Sequence, residues 1–221
     1  MLILLDLFGT LVDISPVNRR IYEFFRIYAG RDIDYDEFRD FYIRKYYEIF
    51  SDLDKKPYMV ERYLFNTLYS ELLNYLGVSK SPDFVVGFVY GLLASLPHFD
   101  DVSCVSRLKD KGHTLWILSN SDSDYSVPLV KTLPFEVDGI TTAAMAKAYK
   151  PHERIFHFAL DAAGFSPSES IMVGDSLSDI EGASRVGMPG VLIDRQGKYE
   201  DFKGQKITSL CQLEEVISGA I

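Results

Sequence analysis

The chain opens with MLILLDLFGTLVD, residues 1–13, and this stretch decides the fold. Five apolar residues lead into Asp6, and a short unbroken apolar run is typical of a strand buried on both faces. Ligands of open α/β sheets bind beyond the carboxyl ends of the strands, where Asp6 is predicted to lie. Gly9 allows the backbone to turn sharply away from the strand. We take Asp6 as a candidate catalytic nucleophile; the alternative is a strand that ends in an ordinary acidic turn.

Composition indicates a globular protein with an acidic surface. The 221 residues are 47% apolar and 25% charged, which is ordinary for a soluble domain and allows one large domain or one domain with an insert. Asp and Glu number 32 against 23 Lys and Arg, a net charge of −9, which argues against a nucleic-acid partner. The run from Phe84 to Phe99 is too short to span a membrane, so no membrane partner is expected.

Cysteine content and the first residues bear on location. Cys104 and Cys211 show no metal-ligand spacing, so we predict reduced, partly buried packing residues. No basic leader precedes the apolar run, which Asp6 interrupts, so no signal peptide is predicted. Together these features predict a cytoplasmic protein.

Residues 15–96, called the helical insert below, carry the pattern of four helices. Apolar residues recur at helical spacing, as at Leu64, Leu68 and Leu72. Helix starts are predicted at Ser15-Pro16, Asp34, Pro57 and Ser81-Pro82, and helix ends at Gly30 and Gly77. The many aromatic residues in this segment are interpreted as core and not as a binding surface.

Strands and helices alternate from residue 97 onward. The later strands are predicted at residues 114–118, 139–142, 171–173 and 190–194, with helices at 102–111, 127–133, 152–163, 179–186 and 213–217. Such alternation favours a parallel sheet with right-handed crossovers. The predicted fold is therefore α/β: a Rossmann-like parallel sheet of about five strands, formed by residues 1–14 and 97–221, with residues 15–96 as a four-helix cap. Residues 198–206 are predicted to be a loop.

Polar residues follow the predicted strands at one edge of the sheet. They are Asp6, Ser119-Asn120, Lys150, and Asp175 with Asp179. Each is a common turn residue when taken alone. Three carboxylates in one cleft would repel each other unless a hard cation joined them, and Mg²⁺ prefers carboxylates together with water and substrate oxygens. The combination predicts metal-assisted transfer of a phosphoryl group to a carboxylate.

In this order and spacing, the motifs resemble those of the haloacid dehalogenase (HAD) superfamily. The matching residues are Asp6-x-x-Gly9-Thr10-Leu11, Ser119-Asn120, Lys150-Pro151 and Gly174-Asp175-x-x-x-Asp179. The resemblance covers essentially the whole chain, and the helical insert after the first motif looks like the cap of that family.

The resemblance implies a role for each of these residues. Asp6 would attack the substrate and form a covalent aspartyl intermediate, and Lys150 would offset the charge around it. The residues implied to hold Mg²⁺ are Asp6, the backbone carbonyl of Phe8 and Asp175, with Asp179 as a ligand or as support for the metal or for Lys150. The residues implied to contact phosphate are Ser119, Asn120, Lys150 and Thr10.

Phe8 and Asp175 point to different reactions. Phosphatases of the family usually carry a second Asp at the position of Phe8, and loss of such a proton-transfer group typically costs about 10²–10⁴ in rate. The family's 2-haloacid dehalogenases usually carry Tyr there, close to Phe in shape, and need no metal. Asp175 instead favours a metal, because those dehalogenases usually have neutral residues at Gly174-Asp175.

Three functions follow from this comparison. We predict a Mg²⁺-dependent phosphatase that acts on a small phosphorylated metabolite. The alternatives are a 2-haloacid dehalogenase with a halogenated substrate, and a low-activity phosphate-binding regulatory protein. A monomer and a homodimer fit equally well.

Overall fold

The computed structural model describes residues 1–219. Its centre is a parallel sheet of six strands, in the spatial order β3-β2-β1-β4-β5-β6. The strands are β1 (Leu2–Leu5), β2 (Thr114–Ser119), β3 (Gly139–Thr142), β4 (Ser170–Gly174), β5 (Gly190–Ile193) and β6 (Gln205–Ile207). The central strand β1 pairs with β2 on one side and β4 on the other, and all four of its residues are fully buried. The α/β fold and the buried first strand are therefore confirmed. Asp6 lies at the carboxyl end of β1, next to the middle of the sheet.

The sheet has one strand more than predicted. β6 begins at the end of the stretch predicted to be a loop and extends one residue beyond it. It pairs in parallel with β5, with Val191 opposite Gln205. It is three residues long at the sheet edge, and of these only Ile207 is buried. Backbone hydrogen bonds to β5 hold this strand in place. Its sequence therefore lacks the run of apolar side chains by which a buried strand is recognised.

The helical insert contains four helices, as predicted. They are α1 (Val17–Tyr28), α2 (Tyr35–Phe50), α3 (Glu61–Leu76) and α4 (Pro82–Leu93), with a 3-10 turn at Leu53–Lys55. The remaining helices are α5 (Ser106–Asp110), α6 (Ser123–Val130), α7 (Ala143–Ala146), α8 (Glu153–Ala163), α9 (Leu177–Arg185) and α10 (Leu213–Gly219). Further 3-10 turns span Asp100–Val105, Pro167–Glu169 and Leu210–Gln212.

Helix boundaries in the insert follow the sequence signals with two exceptions. Asp34 caps α2 by accepting a hydrogen bond from the Glu37 amide at 2.9 Å. The predicted cap of α1 at Ser15 is wrong, because the Ser15 hydroxyl donates to Asp13 and α1 begins at Val17. The third helix begins at Glu61 instead of Pro57, since the preceding residues are extended and the Tyr58 ring stacks on Tyr149.

Two adjacent connections join the helical insert to the sheet. The Asp13 amide donates to the Pro97 carbonyl at 2.9 Å, and the Phe99 amide donates to the Leu11 carbonyl at 3.0 Å. Buried residues of the insert and the sheet belong to one contiguous apolar cluster, which includes Leu5. A functional division into core and cap stays a prediction. No helix in residues 1–219 is long and apolar enough to cross a membrane.

Cys104 and Cys211 form a disulfide, so the prediction of two reduced cysteines is wrong. Their separation is 107 residues, and they meet because the turn at Asp100–Val105 packs against the turn at Leu210–Gln212. Two cysteines without local spacing give no sign of such a pairing.

We expect the double variant Cys104→Ala/Cys211→Ala to lose about 2–5 kcal/mol of free energy of unfolding, because the bond closes a loop of roughly 100 residues in the unfolded chain. Urea denaturation of the unreduced protein and of the variant measures the difference. Dithiothreitol should shift the wild type to the variant's midpoint and leave the variant unchanged; equal midpoints without reductant would contradict the expectation.

Candidate active site

The carboxyl ends of the three central strands bring the predicted site residues together. Asp6 follows β1, Ser119 ends β2 and Asp175 follows β4. Asp6 and Ser119 are buried, and Asp175 is half-buried. Adjacent parallel strands end at one edge of the sheet, so residues far apart in sequence face one cleft.

Lys150 lies between two of the carboxylates. Its Nζ donates to Asp6 Oδ1 at 2.6 Å, to Asp179 Oδ1 at 2.5 Å and to the Leu118 carbonyl at 3.1 Å. Burial disfavours the charged ammonium, but attraction to Asp179 and Asp6 outweighs it and raises the pKa of Lys150. Its three protons are all engaged, so a contact with phosphate, which remains a prediction, would replace one of these partners.

Asp179 is fully buried and uses both of its oxygens. Oδ1 accepts from Lys150, while Oδ2 accepts from the Ser176 amide at 3.1 Å and the Ser176 hydroxyl at 2.8 Å. A side chain on Gly174 would lie 2.2 Å from Asp179 Oδ2, so glycine is required there. This geometry favours the predicted supporting role of Asp179 behind Lys150 over direct metal binding.

Thr10 lies against both Asp6 and Asp175. Its hydroxyl is 3.1 Å from Asp6 Oδ2 and 3.4 Å from Asp175 Oδ1. The turn needs glycine at position 9, which has a φ of 93° and where a Cβ would lie 2.3 Å from Asp175 Oδ2. The carboxylates of Asp6 and Asp175 therefore share the Thr10 hydroxyl as a common neighbour.

Burial, reinforced by neighbouring negative charge, raises the pKa of the carboxyl groups of both Asp6 and Asp175. Burial raises the pKa of Asp6 to about 7, with Lys150 opposing and the charges of Asp179 and Asp175 reinforcing the rise. Burial and the charge of Asp179 also raise the pKa of Asp175. The site holds more negative charge than Lys150 alone can offset.

A divalent cation fits this surplus. Asp6, Asp175 and Asp179 each place a carboxylate oxygen within 4.8 Å of the others. Three carboxylates and one ammonium leave two negative charges, which a single Mg²⁺ would balance. The Phe8 carbonyl accepts no hydrogen bond from residues 1–219. Oxygen ligands of this kind suit Mg²⁺. Asp6 Oδ2 and Asp175 Oδ1 meet only the Thr10 hydroxyl within the described residues, so these two carboxylates and the Phe8 carbonyl are the groups best able to bind the cation.

Ser119 and Asn120 differ in what they leave free for a ligand. The hydroxyl of Ser119 has no hydrogen-bond partner within the described residues, although the residue is 2% exposed. Asn120 accepts from the Lys150 amide at 2.6 Å and donates to the Lys150 carbonyl at 3.2 Å. Asn120 thus positions the loop that carries Lys150 and has one amide proton left for a ligand. The Ser119 hydroxyl can still both donate to a ligand and accept from it.

Sequence reasoning missed Arg195, which braces the turn after β1. Its Nη2 donates to the Thr10 carbonyl at 2.9 Å, and its guanidinium pairs with Asp101 at 2.5 and 2.9 Å. Asp101 also accepts from the Ser209 hydroxyl and the Leu210 amide, beside the disulfide. Arg195 directly follows the predicted fifth strand, and this position could have marked it as a residue near the site. No feature of the sequence indicates that Asp101 pairs with it.

Sequence reasoning also missed Glu61, the first residue of α3. Its Oε2 accepts from the Asp122 amide at 2.6 Å and from the Tyr125 hydroxyl at 2.7 Å. The ring of Tyr125 lies 5.7 Å from that of Phe8, centroid to centroid. A single acid at a helix start is common, so no feature of the sequence marks this contact between the insert and the sheet.

The fold and the acidic cleft define a hydrolase class, and comparison with known proteins identifies it. The family profile for haloacid dehalogenase-like hydrolases matches residues 1–187. The chain belongs to this family, as its motifs predicted.

Relatives within the family carry out both candidate reactions. The chain is 31% identical over 116 residues to (S)-2-haloacid dehalogenase 4A from Burkholderia cepacia, covering 52% of this chain and 49% of the relative. It is 37% identical over 123 residues to glyceraldehyde 3-phosphate phosphatase from Pyrococcus furiosus, covering 50% of each. The chain spans about half the length of these curated relatives, so the reaction is not decided by them.

Structural likeness extends over the whole chain. The magnesium-bound crystal structure of YfnB, a HAD-hydrolase candidate from Bacillus subtilis, superposes with a TM-score of 0.84 at 16% identity, covering 98% of this chain and 97% of that one. At this level of identity the likeness shows the fold alone.

Proposed function

We propose that the protein is a Mg²⁺-dependent phosphatase that acts through an aspartyl-phosphate intermediate. The observation that carries the proposal is the position of Asp175, whose carboxylate shares the Thr10 hydroxyl with Asp6. A second carboxylate beside the nucleophile repels an anionic substrate unless a cation lies between them. Bound there, Mg²⁺ would supply charge neutralisation for the phosphoryl oxygens.

The chain's own residues then divide the work. Asp6 attacks phosphorus as a carboxylate, the bond from phosphorus to the leaving oxygen breaks, and water later hydrolyses the acyl phosphate. Lys150 holds Asp6 Oδ1 and favours its charged form, and the Thr10 hydroxyl lies on Oδ2. The unpartnered hydroxyl of Ser119 is placed at the same strand edge to donate to the phosphoryl group.

Phe8 limits the leaving groups that this site can use. Its ring packs on Tyr125 and has no proton to give, so the leaving oxygen departs without help from this position. We therefore propose substrates with good leaving groups, such as acyl or aryl phosphates. The helical insert acts as the cap over a small phosphorylated metabolite, in a monomer or homodimer.

Two other functions remain as alternatives. Phe8 favours 2-haloacid dehalogenation, because a departing halide needs no proton. Loss of turnover with phosphate binding retained would give a regulatory protein. The charge surplus around Asp6 counts against a carboxylate-bearing haloacid, and for this reason we place phosphatase first.

One paired assay separates the three functions. Hydrolysis of an aryl phosphate is measured with Mg²⁺ and with EDTA, alongside halide release from 2-chloropropionate. The proposal expects phosphate release that EDTA abolishes. Halide release without metal would establish the dehalogenase, whereas tight phosphate binding without turnover of a broad phosphate panel would favour the regulatory protein.

Phe8→Asp should raise the rate of alkyl phosphate hydrolysis at least about 10-fold, toward the roughly 10²–10⁴ that a general acid contributes. The new carboxyl would stand two residues after the nucleophile and protonate the leaving oxygen. Phe8→Asn is the matched control, because it removes the ring without adding an acid. Equal rates for the Asp and Asn variants would contradict the assignment of Phe8 to the position of the missing acid.

A further inference from the structure

Glu61 is a buried carboxylate that the proposed reaction does not use. It is 8% exposed, and no basic side chain of residues 1–219 forms an ion pair with it. Its partners are neutral donors, the Asp122 amide and the Tyr125 hydroxyl, and both bind Oε2. The other oxygen, Oε1, has no hydrogen-bond partner within the described residues.

The adjoining turn after β2 also carries polar groups that could form further hydrogen bonds. The hydroxyl of Ser121 is buried and has no hydrogen-bond partner among residues 1–219, and the residue is 3% exposed. Asp122 is 8% exposed and accepts from the Tyr90 hydroxyl at 3.0 Å through one carboxylate oxygen only. Of these groups, the Ser121 hydroxyl is the one that is fully buried and unsatisfied within the described residues, and buried polar groups are normally satisfied. Together with the free oxygens of Glu61 and Asp122, it indicates a place for the polar group of a ligand.

This turn lies next to the proposed reaction centre. Ser121 and Asp122 directly follow Ser119-Asn120. Tyr125, which binds Glu61, packs its ring on Phe8, two residues after the nucleophile. Glu61 is therefore separated from Phe8 by a single side chain, that of Tyr125.

The charged and titratable groups around Glu61 are acidic or phenolic. They are Asp122, Tyr125, Tyr90, Tyr149, Tyr46, Tyr58 and Tyr69. Arg62, the next residue, places its guanidinium over the Tyr90 ring and pairs with Asp124 at 3.6 Å. Burial raises the pKa of Glu61 to about 8, against the effect of the hydrogen bonds from Tyr125 and Asp122. Without a ligand, this pKa leaves Glu61 largely protonated near pH 7, and a hydroxyl or ammonium donor from a ligand would stabilise its ionised form.

We propose that Glu61 binds a hydrogen-bond donor, a hydroxyl or an ammonium group, at the non-reacting end of the phosphorylated substrate. The inference rests on the proposed phosphatase function and defines its substrate class. A carboxylate at that end of the substrate would face the Asp122 carboxylate and would keep Glu61 protonated, so it should bind poorly. The substrates are therefore phosphate esters of amino alcohols or polyols, and not phosphorylated or halogenated acids.

The test compares kcat/KM for four small esters: phosphoethanolamine, glycerol phosphate, propyl phosphate and phosphoglycolate. The wild type should prefer the ammonium or hydroxyl ester over propyl phosphate by about 10²-fold or more, because a site built for a donor rejects an analogue that lacks it. Phosphoglycolate should be the poorest substrate. The better of the first two esters tells which donor Glu61 binds.

Glu61→Gln tests the residue itself. The glutamine carbonyl can still accept from Asp122 and Tyr125, but an amide replaces the free oxygen, so the preferred ester should lose about 10- to 100-fold in kcat/KM. Propyl phosphate and aryl phosphate should change little. Glu71→Gln is the matched control, an exposed acid on the same helix that pairs with Lys45.

The outcomes separate this inference from the proposed function. A wild type that hydrolyses aryl phosphate with Mg²⁺ but prefers phosphoglycolate would overturn the inference alone. Equal loss on all four esters in Glu61→Gln would show a structural role and also overturn it. Absence of every phosphatase activity would overturn the proposed function, and this inference with it.

Discussion

Asp6→Asn should lower kcat for aryl phosphate hydrolysis by at least about 10⁴-fold. The amide cannot form the acyl phosphate. The neighbouring carboxylates should not replace it, because Asp179 is held by Lys150 and Ser176 and Asp175 is assigned to the proposed metal. Asn keeps the shape of the side chain and an oxygen that can accept from Thr10 or Lys150, so the fold should persist. Steady-state rates with Mg²⁺, with thermal unfolding as a check on folding, measure the effect.

Asp13→Asn is the matched control for that variant. Asp13 is the second acid of the opening stretch, and its carboxylate binds only the Ser15 amide and hydroxyl within the described residues. Its activity should stay within about twofold of the wild type, as surface changes have small effects. Retained activity in Asp6→Asn would show that the nucleophile proposed here is wrong.

Lys150→Met should lower the free energy of unfolding by about 3–5 kcal/mol and abolish activity. The ammonium is 3% exposed and binds two buried carboxylates, so its removal leaves Asp6 and Asp179 without compensation. Methionine has a similar length and fills the space, which isolates the loss of charge from the loss of packing. Urea denaturation without added metal measures the stability.

Lys131→Met provides the comparison, because Lys131 is exposed and forms no ion pair within residues 1–219. Its unfolding midpoint should match that of the wild type. A change in the free energy of unfolding of Lys150→Met within about 0.5 kcal/mol would mean that the ammonium does not stabilise the carboxylates of Asp6 and Asp179. In that case the surplus of negative charge, and the argument for Mg²⁺, would have to be reconsidered.

Much of the site could be predicted because neighbouring parallel strands end at a common edge. Buried strands such as β1 are unbroken apolar runs, and the polar residue that ends each run falls at that edge of the sheet. The amino-acid pattern alone therefore predicts that Asp6, Ser119 and Asp175 lie together. The roles of those residues are still predictions, but their convergence on one cleft is a feature of the fold.

The features that escaped prediction depend on contacts between distant segments. The edge strand β6 has no apolar run, and the disulfide joins turns that are 107 residues apart. Glu61 resembles any acid at a helix start until α3 is placed against the turn after β2. Local patterns report which face of an element is buried, but not which polar group it meets there.

If the helical insert is the cap proposed above, its contacts link access to the cleft with the placement of Lys150. The insert is tied to the sheet by the adjacent connections at residues 11–13 and 97–99, and it also meets the sheet domain at Glu61 and where the Tyr149 hydroxyl donates to the Met59 carbonyl at 2.8 Å. Tyr149 directly precedes Lys150. A movement of that cap about its two connections would break both contacts, and would thereby release Tyr149, the residue next to Lys150. Entry of a substrate and assembly of the charged centre around Lys150 would then depend on the same movement of the helical insert.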